Sequence, residues 1–230
     1  QGYSRKKRRF LEAEVQHIVT DTTTIIDTRS ANIVSVWNAL SSIGIDAVIT
    51  NDHAEIANSA RIILPGVGAF DTCVQALEDA DLAGLISECV LGRGIPLLGI
   101  CVGMQVLFEG SEEGSGNGLG FLPGHCKRLR PDPVAMKKVP HNGFAEVRIA
   151  DTNPLKAGLR DKEYFYFNHS YGIFDATDGM KPDWVSHSVE VIASFHYNTI
   201  FGMQYQPEKS QLAGLKVLSN FVAFSRGESQ

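Results

Sequence analysis

The sequence predicts a three-layer α/β domain built on a mixed, mostly parallel sheet whose C-terminal strands run antiparallel. In the first hundred residues, short apolar runs alternate with segments of helical periodicity, the pattern of parallel strands joined by crossover helices. Beyond residue 140, strand-like runs follow one another without long helices between them, which is typical of antiparallel pairing. The two halves of the chain therefore predict two kinds of strand pairing in one sheet.

The predicted parallel half contains strands at 24–26, 47–49, 61–64 and 96–100. After the first strand, apolar residues at i, i+3, i+4 and i+7 between Ile33 and Leu40 predict an amphipathic helix that ends at Gly44. A short helix capped by Asn51 or Asp52 follows the second strand. Residues 71–93 predict a helix with a break near 79–81. These spacings suit right-handed βαβ units.

The predicted antiparallel half contains strands at 144–149, 164–167, 189–196 and 200–205, and a closing helix at 210–225. The last two strands are separated by a turn at 197–198. The glycine-rich segment 110–120 predicts a mobile surface loop. It is not a P-loop, because no Lys-Ser/Thr pair follows its glycines and no strand precedes them.

Composition excludes several classes of protein. The chain has 230 residues, 43% of them hydrophobic, and a formal charge of −5, which argues against a general nucleic-acid binder. The longest apolar stretch, 95–108, is too short and too interrupted by proline and glycine to cross a membrane. Four scattered cysteines favour a reducing, cytoplasmic setting, and no spaced cluster predicts a metal site or a cofactor.

The expected domain organisation has three parts. Residues 1–23 form a basic, disordered N-terminal extension with five consecutive cations at 5–9, residues 24–225 form the α/β domain, and residues 226–230 form a tail. A short basic run at a terminus is usually solvated, although such runs also bind nucleic acid or anionic lipid.

Cys101 carries the clearest chemical signal. It stands between a predicted buried strand and a helix, with Gly99 and Gly103 two residues away on either side. Small residues at these positions leave space for the sharp turn that exposes a nucleophile, and the start of the following helix favours a thiolate. The alternative, an inert buried cysteine, is the interpretation we give to Cys73, Cys89 and Cys126.

A second loop follows the third predicted strand at Gly66, Val67 and Gly68. Its glycines let backbone N–H groups turn toward a ligand, so the loop and the N–H of Val102 could together form an oxyanion hole beside Cys101. The alternative is an ordinary turn between a strand and a helix.

These motifs, together with 207–210 (Pro-Glu-Lys-Ser), resemble the class I, or triad, glutamine amidotransferases. Within that class, the segments 25–27, 65–70, 99–114, 139–141 and 164–171 resemble the glutaminase subunits of imidazole glycerol phosphate synthases. The similarity extends from about Thr22 to about Ser225, with the motifs in the same order. It implies a flavodoxin-like version of the predicted fold.

The resemblance implies a subunit that hydrolyses glutamine to glutamate and passes ammonia to a cyclase subunit with a (β/α)₈ barrel, in a heterodimer that forms imidazole glycerol phosphate and AICAR in histidine biosynthesis. It makes Cys101 the nucleophile and Glu208 the carboxylate that orients the catalytic histidine, with Gly66, Val67, Gly68 and Val102 at the oxyanion hole. It implies substrate contacts from Gln105, Glu113, His169, Ser170 and Tyr171, and partner contacts from Asn32 and Lys209.

The sequence departs from the family at the catalytic histidine, whose position is occupied by Gln206. Glutamine forms hydrogen bonds but cannot carry a proton, so the usual route loses on the order of 10²- to 10⁴-fold. Three hypotheses follow: a slowed glutaminase, a pseudo-glutaminase that binds and regulates the cyclase, and a single replacement in an otherwise active protein. The alternative outside the family is another hydrolase with a cysteine elbow and similar architecture, such as a γ-glutamyl hydrolase, which should not need a barrel partner.

Another histidine could substitute for the missing one. His169 and His141 remain open on spacing, whereas hairpin pairing of Gln206 near Val191 places His196 roughly 16 Å away. A further departure is Arg29, which stands where the family carries a glycine-rich turn before Asn32. It adds bulk and charge at the edge expected to face the partner.

Overall fold

The computed structural model describes residues 22–30, 32–134 and 136–224. The first strand begins at Thr23, one residue before the strand start that the sequence predicted. The rest of the predicted basic extension, apart from Thr22, and the predicted tail at 226–230 lie outside the described residues.

A nine-stranded mixed sheet forms the centre of the domain, with strand order β2-β1-β3-β4-β12-β11-β10-β7-β8. Its parallel strands are β1 (Thr23–Ile26), β2 (Ala47–Thr50), β3 (Arg61–Gly66) and β4 (Leu97–Cys101). Its remaining strands are β7 (His141–Arg148), β8 (Lys162–His169), β10 (Lys181–Ser186), β11 (Glu190–Tyr197) and β12 (Ile200–Met203). A second, three-stranded sheet contains β5 (Gly110–Ser111), β6 (His125–Arg128) and β9 (Tyr171–Gly172).

Within the described part of the chain, six α-helices connect or cover these strands: α1 (Ile33–Ser42), α2 (His53–Ala57), α3 (Phe70–Asp79), α4 (Ala83–Ser87), α5 (Val102–Gln105) and α6 (Gln211–Ala223). The break predicted near 79–81 is confirmed, since α3 ends at Asp79 and a π-helical turn, Glu88–Gly92, continues α4. Of the two candidate caps for α2, Asp52 is the one whose side chain accepts the N–H groups of Ala54 and Glu55.

Strand β12 joins the two halves of the sheet. It pairs in parallel with β4, with Met203 opposite Ile100, and antiparallel with β11, with Ser194 opposite Met203. On the other side of β4, Gly66 of β3 lies opposite Cys101. The carboxyl ends of β3, β4 and β12 therefore meet at one edge of the sheet, which is where open α/β sheets place their ligand sites.

The predicted fold class and the position of the antiparallel half are confirmed, but four strands escaped prediction: β5, β6, β9 and β10. Strand β10 alternates buried and exposed residues, but its buried positions include Asp183, and a buried carboxylate gives no apolar signal. The predicted strand at 200–205 ends early at Met203, after which Gln204 still donates its backbone N–H to Ala193.

The glycine-rich segment 110–120 lies largely at the surface and is anchored by hydrogen bonds, and the mobility expected of it stays a prediction. The carboxylate of Asp71 accepts the backbone N–H groups of Ser115 and Gly116. A Cβ on Gly118 would stand 2.0 Å from the Phe108 carbonyl oxygen. The glycines of this loop permit close packing against the segment that follows Cys101.

Among the described residues, no helix is long and apolar enough to span a membrane.

Candidate active site

Cys101 occupies a sharp turn at the carboxyl end of β4. Its φ of 55° and ψ of −112° are unusual for a residue with a side chain. A Cβ on Gly103 would lie 1.9 Å from the carbonyl oxygen of Leu64, and a Cβ on Gly99 would lie 2.6 Å from the carbonyl oxygen of Gly103. The two glycines are therefore required by backbone contact, as the predicted elbow demands.

The loop at 66–68 lies directly beside this elbow. A Cβ on Gly66 would approach the backbone nitrogen of Gly103 to 2.5 Å, and Gly68 has a φ of 94°, which favours glycine. The loop is thus pressed against the first turn of α5. Its position beside Cys101 suits the oxyanion-hole function predicted for Gly66, Val67, Gly68 and Val102, which stays a prediction.

A cleft of about 440 Å³ opens at Cys101. It brings together most of the predicted site residues: Asn32, Val67, Gly68, Cys101, Val102, Gln105, Glu113, His169, Ser170, Tyr171, Gln206 and Lys209. Gly66 and Glu208 do not line the cleft, although Glu208 lies near enough to influence Cys101 electrostatically. Residues far apart in sequence thus converge on one thiol.

The electrostatics of Cys101 differ from the expectation. The pKa of the Cys101 thiol is raised to about 11, first by burial and second by the neighbouring Glu208 carboxylate, while hydrogen bonds from Val102 N–H and Gln206 and the charge of Lys209 lower it. Helix α5 has only four residues, so its dipole is small compared with the cost of burying a charge. The expected thiolate at the start of the helix is therefore not favoured in this state of the site.

Gln206 and Glu208 leave two polar atoms without partners. Gln206 is buried and donates its backbone N–H to the Tyr166 carbonyl oxygen, but its side-chain Oε1 has no hydrogen-bond partner. Oε1 of Glu208 accepts from the Asn32 side chain at 3.3 Å, whereas Oε2 of Glu208 is buried and unpaired. Burial also raises the pKa of the Glu208 carboxyl. Unpaired buried acceptors are uncommon, because each costs desolvation energy.

Asn32 belongs to a short hydrogen-bond chain that crosses the site. The Thr28 hydroxyl donates to the Pro65 carbonyl oxygen and contacts the Ser30 hydroxyl, which donates to Asn32 Oδ1. Asn32 in turn donates to Glu208. Asn32 is buried in the isolated chain. Its predicted contact with a partner stays a prediction, and in this structure its side chain orients Glu208.

The opposite side of the cleft carries the residues predicted to hold the substrate. Glu113 accepts the backbone N–H of Phe70 at the start of α3, through Oε2 at 2.9 Å. Nε2 of Gln105 donates to the Tyr171 carbonyl oxygen at 2.9 Å, which ties α5 to β9. These contacts hold the side chains in fixed positions around the cleft. Binding of glutamine by them stays a prediction.

The structure argues against His169 and His141 as replacement bases. His169 uses both ring nitrogens, with Nδ1 2.8 Å from the Tyr171 carbonyl oxygen and Nε2 3.2 Å from Nδ1 of His141. Because a carbonyl only accepts, His169 Nδ1 carries the proton and Nε2 accepts from His141. Burial lowers the pKa of His169 to about 4 and that of His141 to about 3.

His196 lies along the sheet, away from the cleft. It pairs with Phe201 across the β11–β12 hairpin, and its ring stacks on Phe201. Phe201 pairs in turn with Leu98, three residues before Cys101, which corresponds to about 10 Å along a strand. His196 is therefore unsuited to proton transfer at Cys101, as the predicted hairpin indicated. The turn lies at Asn198 and Thr199, where the predicted pairing of Gln206 near Val191 requires it.

Sequence reasoning did not assign Gln204 to the site, nor Ser35, Pro140 and Asn168, which line the cleft. The side chain of Gln204 is fully buried, and its Nε2 lies 3.8 Å from Sγ of Cys101. The available signal was spacing, because Gln204 precedes Gln206 by two residues, and residues two apart in an extended segment face the same side.

The chain and its fold match a known family. The family described as Glutamine amidotransferase class-I matches residues 24–223. A crystal structure of a protein described as glutamine amidotransferase superposes with a TM-score of 0.67 at 14% identity, covering 87% of this chain and 97% of that one. A structure of PurLQS from Thermotoga maritima gives a TM-score of 0.63 at 18% identity, covering 88% and 97%. The chain belongs to the class I glutamine amidotransferase family.

Curated relatives indicate which group within the family this chain is similar to. The imidazole glycerol phosphate synthase subunit HisH of Salinibacter ruber is 41% identical over 212 residues, covering 90% of this chain and 96% of the relative. The protein of the same name from Bacillus cereus strain G9842 is 42% identical over 199 residues, covering 86% and 92%. The resemblance seen in the sequence motifs is thereby confirmed.

Proposed function

We propose that this chain is the glutamine-hydrolysing subunit of an imidazole glycerol phosphate synthase. In this role it acts in the cytoplasm as half of a heterodimeric lyase and passes ammonia to a cyclase subunit with a (β/α)₈ barrel. The relatives named as subunits of that synthase support the assignment. The observation that carries it is the cysteine elbow at the floor of a cleft that also contains Gln105, Glu113 and the segment 169–171.

The chemistry proposed for the cleft is attack of the Cys101 sulfur on the side-chain amide carbon of glutamine. The developing oxyanion meets backbone N–H groups of Val67, Gly68 and Val102, which are preorganised by the packed glycines. Ammonia then leaves with a proton, and water cleaves the resulting thioester to give glutamate. The unused Oε1 of Gln105 and the carboxylate of Glu113 suit the α-amino group of the substrate.

Proton transfer is the weak step of this route. In the triad mechanism a histidine takes the thiol proton and delivers it to the leaving amine. Gln206 does neither, and the unpaired Glu208 Oε2 is the acceptor to which the N–H of an imidazole at position 206 would donate. We therefore expect slow turnover in this chain.

A second candidate function is a pseudo-glutaminase that docks on the cyclase while free ammonia feeds the reaction. The observation that favours it is the combination of a pKa near 11 at Cys101 with a glutamine in place of the proton carrier. In this role the chain stabilises or regulates the barrel, and its cleft binds glutamine without consuming it.

An exposed aromatic patch supports docking on a partner. Phe144 and Tyr164 are about half exposed, at 49% and 53%, on the β7–β8 edge of the sheet. Tyr166 packs edge-on against Phe144, and Lys209 Nζ lies 5.7 Å from the centre of the Tyr166 ring. Exposed aromatic side chains grouped beside a catalytic cleft are typical of protein interfaces.

Glutamate release tests the assignment. We would measure it for the parent chain, Gln206→His and Cys101→Ala, each alone and with the matching cyclase. A glutaminase subunit shows turnover in Gln206→His that Cys101→Ala abolishes. Turnover in none of the three, with a complex still formed, identifies the binding subunit.

Assembly is tested separately by size-exclusion chromatography with the cyclase at micromolar concentration. Co-elution is expected, and Tyr164→Ala in the aromatic patch should weaken it. A matched control is Tyr197→Ala, because Tyr197 lies at the end of β11, outside this patch. Separate elution of the two parent chains would contradict the proposed heterodimer.

A further inference from the structure

A series of hydrogen-bonded side-chain amides connects the segment 169–171, called the substrate segment below, with Cys101. Nε2 of Gln105 donates both to the Tyr171 carbonyl oxygen at 2.9 Å and to Oε1 of Gln204 at 3.0 Å. Nε2 of Gln204 lies 3.8 Å from Sγ of Cys101, within range for a hydrogen bond to sulfur. Both glutamines of this series are buried, since Gln105 is 2% and Gln204 0% exposed.

The hydrogen bonds fix the orientation of the Gln204 amide. A primary amide has two N–H donors on nitrogen and an oxygen that only accepts. The Tyr171 carbonyl oxygen requires the Gln105 nitrogen to face it, and the second N–H of that nitrogen then faces Gln204. Rotating the Gln204 amide by 180° would bring two donors together at Gln105, so Gln204 must present its oxygen to Gln105 and its nitrogen to Cys101.

We infer that Gln204 is a catalytic residue that donates a hydrogen bond to the Cys101 thiolate. The inference rests on the proposed function, because it concerns the nucleophile of the glutaminase. A buried donor aimed at a buried anion is worth more than the same bond in water. Since an amide does not titrate, this donor is present at every pH, unlike an imidazolium.

The position of Gln204 also links the nucleophile to the substrate segment. The Tyr171 carbonyl oxygen receives hydrogen bonds from both Gln105 and His169, so the backbone of the segment 169–171 is held from two sides. A shift of this segment would draw Gln105 with it and release the Gln204 amide. The donor at Cys101 is thus held in place by the residues predicted to bind glutamine.

The pH dependence of Cys101 alkylation by iodoacetamide tests this inference. The thiolate displaces iodide and forms an S–C bond, so the rate follows the ionised fraction of the thiol. Four cysteines are present, and mass spectrometry of the peptide containing Cys101 distinguishes it from Cys73, Cys89 and Cys126. The assay uses neither glutamine nor the cyclase, so its result stands even if the proposed glutaminase function fails.

Two variants change the side chain at position 204 in different ways. Gln204→Leu removes the donor and should slow Cys101 alkylation at pH 8 on the order of tenfold. Gln204→Glu keeps an acceptor for Gln105 but puts a carboxylate beside the sulfur, and should slow it further. Gln75→Leu makes the same change on the exposed side of α3 and serves as the control.

Circular dichroism and thermal unfolding show whether each variant retains the fold. Slower alkylation of Cys101 in both folded variants, with the order Gln204→Glu below Gln204→Leu, supports the inference. An unchanged rate overturns it. A faster rate also overturns it, because it would mean that Gln204 shields the sulfur from the reagent rather than stabilising its charge.

Discussion

The two sides of the active-site cleft differ in how closely they are packed and in whether their polar atoms have hydrogen-bond partners. The elbow side, residues 64–66 and 99–103, is packed so closely that its glycines have no room for a Cβ. The relay side, residues 206–208 with Asn32, is buried except for the partly exposed Glu208, and it leaves Gln206 Oε1 and Glu208 Oε2 without partners. The difference shows that the position of Cys101 is set by the backbone of the sheet, whereas the proposed proton transfer depends on the side chain at position 206.

The comparison also shows why the site can keep its shape whichever side chain stands at position 206. The turn at Cys101 is stabilised by β3, β4 and α5, none of which contacts residue 206 through the ladder hydrogen bonds. Gln206 is held by its own backbone N–H to Tyr166. Replacement of the side chain at 206 therefore leaves both sides in place.

The largest expected effect comes from Gln206→His, which would complete the relay side. An imidazole there fills the position between Cys101 and Glu208, so glutamate release should rise by about 10²- to 10⁴-fold. Steady-state glutaminase kinetics with the cyclase present measure the gain, and Gln75→His provides a matched exchange on the surface. A parent rate already equal to that of Gln206→His would show that another group moves the proton.

The next effect concerns the elbow side and is measured as stability. Gly103→Ala would place a methyl group 1.9 Å from the Leu64 carbonyl oxygen, so we expect a loss of about 3 kcal/mol or more in the free energy of unfolding. In Gly84→Ala the added methyl meets nothing within 4 Å and sits in α4, so stability should rise by about 0.5 to 1 kcal/mol. Urea unfolding of the two variants compares them. Equal stabilities would show that the elbow can relax.

A third effect extends the comparison to the histidines behind the substrate segment. Burial lowers the pKa of His141 to about 3 and of His169 to about 4. Below the ordinary histidine pKa of about 6.5, the unfolded chain binds protons that the folded chain does not. The free energy of unfolding should therefore fall as pH drops from about 6.5 toward 4, by at most about 1.4 kcal/mol per pH unit for each histidine.

Urea unfolding at pH 7, 6 and 5 measures this slope. His141→Phe keeps an aromatic ring against Phe167, where His141 now stacks, and should make the slope smaller. His53→Gln is the control, because it removes a histidine from α2 and leaves His141 and His169 in place. An undiminished slope in His141→Phe would assign the acid sensitivity to other groups.

The smallest expected effect is at Arg29, on the loop that leads to the relay side. Arg29 has a φ of 54°, a conformation that costs a residue with a Cβ about 1 kcal/mol, while glycine loses more entropy on folding. Arg29→Gly should therefore change the thermal stability by less than about 1 kcal/mol. Asp81→Gly, at a φ of 52°, is the matched exchange far from the cleft. A large loss in Arg29→Gly alone would show that the arginine side chain stabilises the loop.

Local chemistry in the sequence was enough to predict the elbow. Gly99, Cys101 and Gly103 stand in a fixed spacing, and a strand followed by a helix leaves few conformations for the residue between them. The amphipathic helix α1 and the buried strands β1, β3 and β4 were equally visible, because their apolar patterns are continuous. The glycine-rich turn that the family places before Asn32 also has a counterpart here, in the left-handed backbone of Arg29.

The rest depended on contacts that no local pattern contains. The pKa of Cys101 follows from how deeply β4 is buried and from Glu208, which is 107 positions further along the chain. The orientation of Gln204 follows from Gln105 and Tyr171, which come from two different elements. The anchoring of the glycine-rich loop follows from Asp71, whose partners lie more than 40 positions away.

Strand β12 has a consequence for the order in which the domain can form. It is the last strand among the described residues, yet it lies in the interior of the sheet between β4 and β11. On a ribosome, β4 and β11 would both be made first and would both present open backbone edges until residues 200–203 emerge. A truncated chain that ends before β12 would keep those two edges unpaired in the middle of the molecule, so premature termination should yield aggregation rather than a smaller folded domain.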